Sequence, residues 1–438
     1  MRVLFVSIAW KTHIHPMVPL AWALRSAGHE VQVASEPECL DTITEAGLTA
    51  VSVGSDETVE ERVRRIQGED AAQGLIPPPF TADSLYDITD GDRDGLPWEH
   101  ITWLYDTLVV PRTWILNDEM VDDLVRYCRS WRPDLVLCDA LSYAGAVAAD
   151  AVGAAHGRLM FWPDPSLRMR RDFLRAQERQ PAGARPDRLR DWFAEWAGKY
   201  GRDFTEELVT GQFEVNVTPE DYRLEPHDRT LSLRYVPYHG RSVVPSWIHG
   251  ASRAPRVLMT FGISSRQWAL PGLPAVSVAQ VQEILDSLAD LDIELVLTLA
   301  GEAREQLHRV PENTRVVDFV PLDVIVPTCS AVIHHGGAGN FNGSLVHGVP
   351  QLVVDCAVDA PAKRIMLQQT RAGLSIAPDE ITGPRIRECL TRLLEDDAFR
   401  AGAERLQQEA LAQPTPSALV TDLERFTAEQ RSRGAGGC

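Results

Sequence analysis

Several features are missing from this sequence, and each absence excludes a class of protein. Its seven cysteines are scattered, odd in number and without a CxxC pair, so neither a disulfide framework nor a zinc site is predicted. No stretch offers the roughly 18 consecutive apolar residues of a membrane-spanning helix. The start, MRVLFVSIAW, has no small-residue cleavage site and resembles a buried strand more than a signal peptide. We therefore expect a cytoplasmic protein with reduced thiols and no membrane span.

Basic residues are also scarce. The chain has 43 Lys and Arg against 62 Asp and Glu, which gives a formal net charge of -19. A nucleic acid or an anionic membrane would be repelled from such a surface, except at a local basic patch. We expect neither as a partner.

The length of 438 residues exceeds what one hydrophobic core usually serves, so two domains are expected. Two strand-helix-strand patterns support this division, and their crossovers imply parallel sheets with helices on the faces. The first pattern runs through Val3 to Ile8, Met17 to Ala27 and Glu30 to Ser35; the second runs through Arg256 to Phe261, Val278 to Ala289 and Ile293 to Leu299. Ser277 is positioned to cap the helix of the second pattern.

The turn after the first strand, Ala9 to Pro16, contains no glycine, so the GxGxxG fingerprint of a dinucleotide site is absent and hydride transfer is disfavoured. The turn contains His13 and His15 instead. Open α/β sheets bind ligands at this edge, and an imidazole with a pKa of about 6.5 can accept a proton there. The alternative is one surface histidine and one helix-capping histidine. Asp139, which ends a further predicted strand, either orients such an imidazolium or caps the helix near Ser142.

A second candidate site is the stretch IHHGGAGNFNGSLVHGVPQ, Ile333 to Gln351. It predicts a strand, a glycine turn and a helix from Phe341 to His347. The glycines let backbone amides approach a ligand, and the helix start near Asn340 offers unpaired N–H groups and a positive dipole end, which together suit a phosphate. His335 could donate to the same anion, and the Asn340 side chain could cap the helix or bind the anion. The alternative is a glycine-rich turn with a core histidine.

The His-His-Gly-Gly-Ala-Gly run, followed by a helix and Gly348-Val349-Pro350-Gln351, resembles the donor signature of nucleotide-sugar glycosyltransferases with the two-domain glycosyltransferase-B (GT-B) fold. It resembles more narrowly the bacterial enzymes that attach deoxysugars to polyketide antibiotics. The resemblance implies an α/β protein with two Rossmann-like parallel-sheet domains facing across a cleft. It also implies an acceptor-binding domain over 1–235, a linker over 236–255, a nucleotide-sugar-binding domain over 256–416, and a helix over 417–430 that packs back on the first domain.

The resemblance also assigns roles to residues. His13 would be the general base on the acceptor of an inverting transfer; a part for Asp139 rests on its position at the strand end and not on the resemblance. A dTDP-sugar would be the co-substrate, without a metal ion or another cofactor. Its diphosphate would lie at two turns. The first is the glycine turn, with His335, Gly336, Gly337, Gly339 and Asn340. The other follows the strand Arg256 to Phe261, with Gly262, Ser264 and Ser265, and could otherwise be a plain strand-end turn. The backbone of Val320 and Pro321, at the end of a predicted strand Val316 to Pro321, would pair with the nucleobase, and Asp359 and Ala360 would adjoin the sugar.

Two positions depart from the family pattern. Where the family has Asp-Gly-Trp-Asp followed by Thr, Asn or Gln, this chain has Val358 for the tryptophan and Ala360 for the polar residue. Loss of a polar contact suits a sugar that lacks a hydroxyl, because a buried polar group without a partner is costly. Asn340 stands where relatives often have Ser or Thr.

The long stretch from about Asp56 to Pro111 lacks clear periodicity and is predicted to be irregular. In the family this region helps to form the acceptor pocket, and in a macrolide and anthracycline subset it meets a helper protein related to cytochromes. A helper protein and a homodimer are therefore open partners. Two other functions remain as alternatives: a GT-B enzyme of another reaction, such as an epimerase or a hydrolase, and a non-catalytic glycosyltransferase-like partner subunit.

Overall fold

The computed structural model describes residues 1–70, 96–224, 227–250, 254–261, 276–299, 301–354 and 359–435. The chain divides into two compact units. The first contains the described residues up to Arg234 and those from Pro414 onward, and the second contains the described residues of Tyr235–Gln413. Each unit has its own parallel sheet with helices packed against it.

The first unit is built on a seven-stranded parallel sheet in the order β3-β2-β1-β4-β5-β6-β7. The strands are β1 (Arg2–Val6), β2 (Glu30–Ser35), β3 (Thr49–Ser52), β4 (Leu135–Asp139), β5 (Ala155–Met160), β6 (Glu214–Asn216) and β7 (Thr230–Ser232). A parallel sheet is covered on both faces, which explains why four consecutive apolar residues of β1, Val3 to Val6, are all fully buried.

The described residues of the first unit before Arg234 form ten α-helices. They are α1 (Lys11–Ile14), α2 (Val18–Ser26), α3 (Leu40–Glu45), α4 (Val59–Asp70), α5 (Trp98–Leu104), α6 (Val110–Trp131), α7 (Tyr143–Val152), α8 (Pro165–Glu178), α9 (Arg188–Lys199) and α10 (Glu207–Thr210). One turn of π-helix, Tyr105–Val109, joins α5 to α6.

The region from Asp56 to Pro111 is largely helical where the structure describes it, so its prediction as irregular was wrong. It contains α4, α5 and the π-helical turn, while residues 71–95 lie outside the described part. Helix α6 begins at Val110, with Pro111 as its next residue. Proline is tolerated in the first turn of a helix, where its missing N–H costs no hydrogen bond, and Pro111 occupies that position.

The second unit has a six-stranded parallel sheet in the order β10-β9-β8-β11-β12-β13. Its strands are β8 (Arg256–Thr260), β9 (Glu294–Thr298), β10 (Thr314–Val317), β11 (Ala331–His334), β12 (Gln351–Val354) and β13 (Gly373–Ile376). Its described helices are α11 (Val278–Leu288), α12 (Glu302–Glu305), α13 (Leu322–Ile325), α14 (Ala338–Val346), α15 (Ala360–Thr370), α16 (Gly383–Glu395) and α17 (Asp397–Ala412). The predicted cap at Ser277 is confirmed, since its side chain accepts from the Gln280 backbone in a full capping box.

The last helix, α18 (Pro416–Ala435), belongs to the first unit and contacts α2 and β5. Phe426 packs on Phe213 with ring centroids 4.3 Å apart, and Glu424 lies 3.0 Å from the His29 imidazole. The C-terminal end of the chain thus completes the covering of the first sheet.

None of the described helices combines the length and the apolar character that crossing a bilayer requires.

Candidate active site

The order of strands gives each sheet one switch point, the place where the chain connections leave in opposite directions. In the first unit it lies between β1 and β4, and in the second between β8 and β11. Ligands of open α/β sheets bind at such points, beyond the carboxyl ends of the strands. The residues that follow these four strands are therefore the candidates for chemistry.

At the first switch point the structure brings His13 and Asp139 together. His13 lies on α1 directly after β1, and Asp139 is the last residue of the neighbouring strand β4. The imidazole Nδ1 lies 2.8 Å from Asp139 Oδ2, with the carboxylate side chain fully buried and 12% of the histidine side chain exposed. The second carboxylate oxygen accepts the backbone N–H of Leu141 at 2.9 Å. His13 is therefore not a free surface histidine.

This contact decides which ring nitrogen can do chemistry. A carboxylate only accepts hydrogen bonds, so the bond requires the proton on Nδ1 and leaves a lone pair on Nε2. An imidazole fixed in this tautomer can take a proton through Nε2, and the carboxylate stabilises the imidazolium that results. Asp139 does not cap α7, since the residue preceding that helix is Ser142.

Two tryptophans border the imidazole of His13. Trp10 immediately precedes α1, and Trp162 lies just beyond β5; their rings meet the imidazole edge-on, with centroids 5.3 and 5.1 Å away. The predicted turn over residues 9–16 is in fact helical, with α1 followed by a 3-10 turn, His15–Met17. The histidine thus sits on a short rigid element between large side chains, which limits rotation of its ring.

At the second switch point lies the glycine turn between β11 and α14. The helix starts at Ala338, with Gly337 as the preceding cap residue, so the predicted start near Asn340 was too late. Asn340 is buried within the first turn and does not cap the helix. Low helix propensity at Gly339 and Asn340 misled the sequence reasoning, because burial of α14 overrides it.

The turn requires glycine at two positions. Gly336 has a φ of +87°, in the left-handed region that favours glycine. A Cβ added at Gly337 would lie 2.6 Å from His335 Nε2, which is closer than real Cβ atoms come to a ring. The first turn of α14 leaves backbone N–H groups without intrahelical partners, at the positive end of the helix dipole. The arrangement suits an anion.

Both histidines of the turn are neutral near pH 7. His334 is fully buried, donates from Nε2 to Gln351 Oε1 at 2.8 Å and accepts the Gly336 N–H on Nδ1 at 3.0 Å; burial lowers its pKa to about 3. Burial also lowers the pKa of His335 to about 4, with the charge of Lys363 as the second cause. The ring of His335 also bonds to the Thr260 backbone. Among the described residues no group bonds to its buried Nδ1, so the bond to Thr260 involves Nε2.

Lys363 is a residue of this site that the sequence reasoning missed. It lies on α15 with only 1% exposure, donates from Nζ to the Gly336 carbonyl oxygen at 2.5 Å and forms an ion pair with Asp359. The spacing of four residues between Asp359 and Lys363 was the available signal, since it places both side chains on one face of a helix. Asp359 is 8% exposed, and Ala360, the first residue of α15, is buried beside it. Their contacts with a sugar stay a prediction.

The remaining predicted residues are placed as follows. Strand β10 ends at Val317, so the predicted strand to Pro321 was too long. Val320 is buried in a small cluster with Ile325 and Val326, and Pro321 precedes α13; their pairing with a nucleobase stays a prediction. Gly262, Ser264 and Ser265 lie outside the described residues. Within the described ranges, no group of three His, Cys, Asp or Glu side chains is arranged to hold a metal ion.

Comparison with known proteins identifies the family. The domains described as erythromycin biosynthesis protein CIII-like match residues 22–262 with the N-terminal domain and 282–426 with the C-terminal domain. The chain is 42% identical to the 10-deoxymethynolide desosaminyltransferase of Streptomyces venezuelae, over 98% of each chain. It is 41% identical to the aclacinomycin-T 2-deoxy-L-fucose transferase of Streptomyces galilaeus, over 100% of this chain and 99% of the relative.

A solved structure agrees with these relatives. The glycosyltransferase VinC in complex with dTDP matches with a TM-score of 0.82 and 34% identity, over 98% of this chain and 100% of that one. The predicted GT-B fold and the predicted resemblance are confirmed, and the relatives are transferases rather than epimerases or hydrolases. This chain is therefore a glycosyltransferase that belongs to the erythromycin biosynthesis protein CIII-like family.

Proposed function

We propose that this glycosyltransferase moves a deoxysugar from a dTDP-sugar to a hydroxyl group of a polyketide aglycone, macrolide or aromatic, in antibiotic biosynthesis, and inverts the anomeric carbon. The names of two relatives, a 10-deoxymethynolide desosaminyltransferase and an aclacinomycin-T 2-deoxy-L-fucose transferase, support the substrate classes. The dTDP complex of VinC supports the nucleotide. The observation that carries the chemistry is the 2.8 Å contact between His13 Nδ1 and Asp139.

The first unit would activate the acceptor. His13 Nε2 takes the proton from the acceptor hydroxyl, and that oxygen forms a bond to the anomeric carbon of the sugar. Asp139, which is buried and bonded to Nδ1, stabilises the imidazolium as it forms. The bond from the anomeric carbon to the diphosphate oxygen breaks on the opposite face, which inverts the configuration.

The second unit would stabilise the leaving diphosphate. Negative charge grows on the diphosphate as the bond breaks, and the unpaired N–H groups at the start of α14 are oriented donors that need no rearrangement. His335 is neutral and bonds to the Thr260 backbone, and we propose that it releases this bond and donates from Nδ1 to a phosphate oxygen when the diphosphate is bound. We propose that Gly262, Ser264 and Ser265 contribute further contacts to the same group.

Ala360 supports a donor that lacks a hydroxyl. It is buried at the start of α15 and presents a methyl group where the family has a polar side chain. A sugar hydroxyl beside a methyl group would lose its hydrogen bonds to water without replacement, which costs about 1–3 kcal/mol. A deoxysugar avoids that cost.

The experiment is a transfer assay with purified enzyme, dTDP-deoxysugars of known anomeric configuration, and macrolide and aromatic aglycones. We expect a glycosylated product whose anomeric proton coupling shows inversion, and calorimetry should show dTDP binding more tightly than UDP. Retention of configuration would overturn the proposed mechanism. Release of free sugar without transfer to any aglycone would overturn the proposed reaction.

The proposal assigns no step to a metal ion, since the amides and the helix dipole supply the positive potential at the leaving group. We expect EDTA to leave the transfer rate unchanged after dialysis. A loss of rate that added Mg²⁺ restores would contradict this part of the proposal.

A helper protein related to cytochromes and a homodimer are part of the proposal as partners. Adding such a helper protein to the assay should raise the transfer rate severalfold, and an unchanged rate would exclude it as a partner. Light scattering of the purified chain tests the dimer.

A further inference from the structure

The two peptide groups that flank Gly336 are each held by a buried side chain. The Gly336 N–H donates to His334 Nδ1 at 3.0 Å, and the Gly336 carbonyl oxygen accepts from Lys363 Nζ at 2.5 Å. Gly336 has no side chain and a φ of +87°, so its own conformational preferences fix the turn only weakly. These two hydrogen bonds therefore define its orientation.

The bond from Lys363 has a consequence on the other side of the peptide. A trans peptide is planar, and its C=O and N–H point in opposite directions. When Lys363 draws the Gly336 carbonyl toward α15, the N–H of Gly337 in the same peptide plane points away from Lys363. Gly337 is the residue that precedes α14, so this N–H joins the unpaired amides at the helix start.

We propose that Lys363 is a positioning residue of the diphosphate site, which aims the Gly337 amide at the anion without touching the anion itself. The inference rests on the proposed function, since it presumes that the glycine turn holds the diphosphate of the donor. Lys363 is 1% exposed, and its Nζ contacts Gly336 and Asp359, with the ring of Phe341 5.6 Å away.

The ion pair explains how a lysine can serve there. A buried ammonium group is costly unless it is paired and hydrogen-bonded, and Asp359 at the preceding turn provides the paired carboxylate. Asp359 thereby acts on the diphosphate through Lys363 and the peptide group between Gly336 and Gly337. This role is additional to the predicted sugar contact of the same carboxylate.

The test compares dTDP with thymidine, which has the same base and deoxyribose but no phosphate. We expect Lys363→Met to weaken dTDP binding tenfold or more in calorimetry and to leave thymidine binding unchanged, because only the phosphate contacts depend on the turn. Lys363→Arg should recover part of the loss, since a guanidinium can also donate to the carbonyl.

Two variants separate this role from general damage to the fold. The double variant Asp359→Leu with Lys363→Met leaves no buried charge unpaired, so it stays folded and should still show the selective loss of dTDP. The matched control is Arg256→Met, because Arg256 is also buried and paired, with Glu294 at 3.0 Å, but lies at the first residue of β8, the end remote from the turn. That control should change dTDP and thymidine binding equally or not at all.

The outcomes distinguish the inference from the proposed function. Failure of the wild-type protein to bind dTDP would contradict the proposed function. Two results would overturn the positioning role alone. In the first, the wild type binds dTDP tightly and neither Lys363→Met nor the double variant weakens that binding. In the second, the variants lose dTDP and thymidine binding equally.

Discussion

Histidines lie at the switch point of both sheets, but their surroundings differ. In the first unit His13 bonds to the buried carboxylate of Asp139, which fixes the ring proton on Nδ1 and leaves the lone pair on Nε2 to accept one. In the second unit burial lowers the pKa of His334 and His335, and the nearby cation Lys363 is already paired with Asp359.

The difference matches what each site is proposed to do. A general base has to change its charge during the reaction, so it needs a partner that stabilises the protonated form. A diphosphate site needs donors that keep their charge through the catalytic cycle, and neutral rings and backbone amides meet that need. One fold thus uses the same residue type at equivalent places for two kinds of chemistry.

The largest expected effect comes from removing the group that changes charge. We expect His13→Ala to lower kcat on the order of 10³-fold, since general base catalysis contributes 10² to 10⁴. The Kd for dTDP should be unchanged, because the proposed donor contacts lie in the second unit. Steady-state transfer assays and calorimetry on the same preparation measure both. Full turnover of the variant would exclude His13 as the base.

A smaller loss should follow when the carboxylate alone is changed. In Asp139→Asn the amide NH₂ can donate to Nδ1 of His13, which forces the ring proton onto Nε2. Nε2 then has no lone pair with which to take the proton of the substrate hydroxyl. We expect kcat to fall by about 10²-fold, while the carbonyl oxygen of Asn keeps the bond to the Leu141 N–H and hence the stability. An unchanged kcat in a folded variant would show that the contact has no part in catalysis.

At the second switch point we expect an effect on affinity. His335→Ala should raise the Kd for dTDP about tenfold, the value of one hydrogen bond to a charged group. Because the pKa of His335 is lowered to about 4, the ratio of variant to wild-type Kd should stay constant from pH 5.5 to 8. If the ratio of variant to wild-type Kd grows as the pH falls through 6.5, His335 binds as an imidazolium. The histidines of the two units would then not differ in charge as proposed.

Much of the fold follows from apolar runs, and the exceptions have identifiable causes. The strands β1, β4, β8 and β9 were predicted because both faces of a parallel sheet are covered. Strand β5 was not, since it contains His156, Gly157 and Arg158. Tertiary contacts explain those residues: Arg158 pairs with Asp164 at 2.7 Å, and a Cβ at Gly157 would lie 2.5 Å from the Phe213 ring.

The candidate site shows the same limit. The glycine turn and the histidines could be found because they lie close together in sequence or after predicted strands. The hydrogen bond between Asp139 and His13 was only one of two interpretations of Asp139, because it joins residues 126 positions apart and sequence patterns do not show such pairs. Lys363 was missed because its role depends on the carbonyl of Gly336, and a backbone atom leaves no signal in the sequence.

The smallest expected effect concerns stability and tests whether His334 is neutral. Its folded pKa of about 3 lies below the ordinary value of 6.5, so between these values the unfolded chain binds a proton that the folded chain does not. Stability should therefore fall as the pH drops below 6.5, by about 1 kcal/mol between about pH 7 and 5.5, and should not change through this group above pH 7. His334→Gln removes the titrating ring and keeps a donor for Gln351. Urea unfolding at both pH values should show a smaller change in unfolding free energy for the variant than for the wild type. An equal change in both proteins would mean that His334 is charged in the folded protein, as His13 is proposed to become during the reaction.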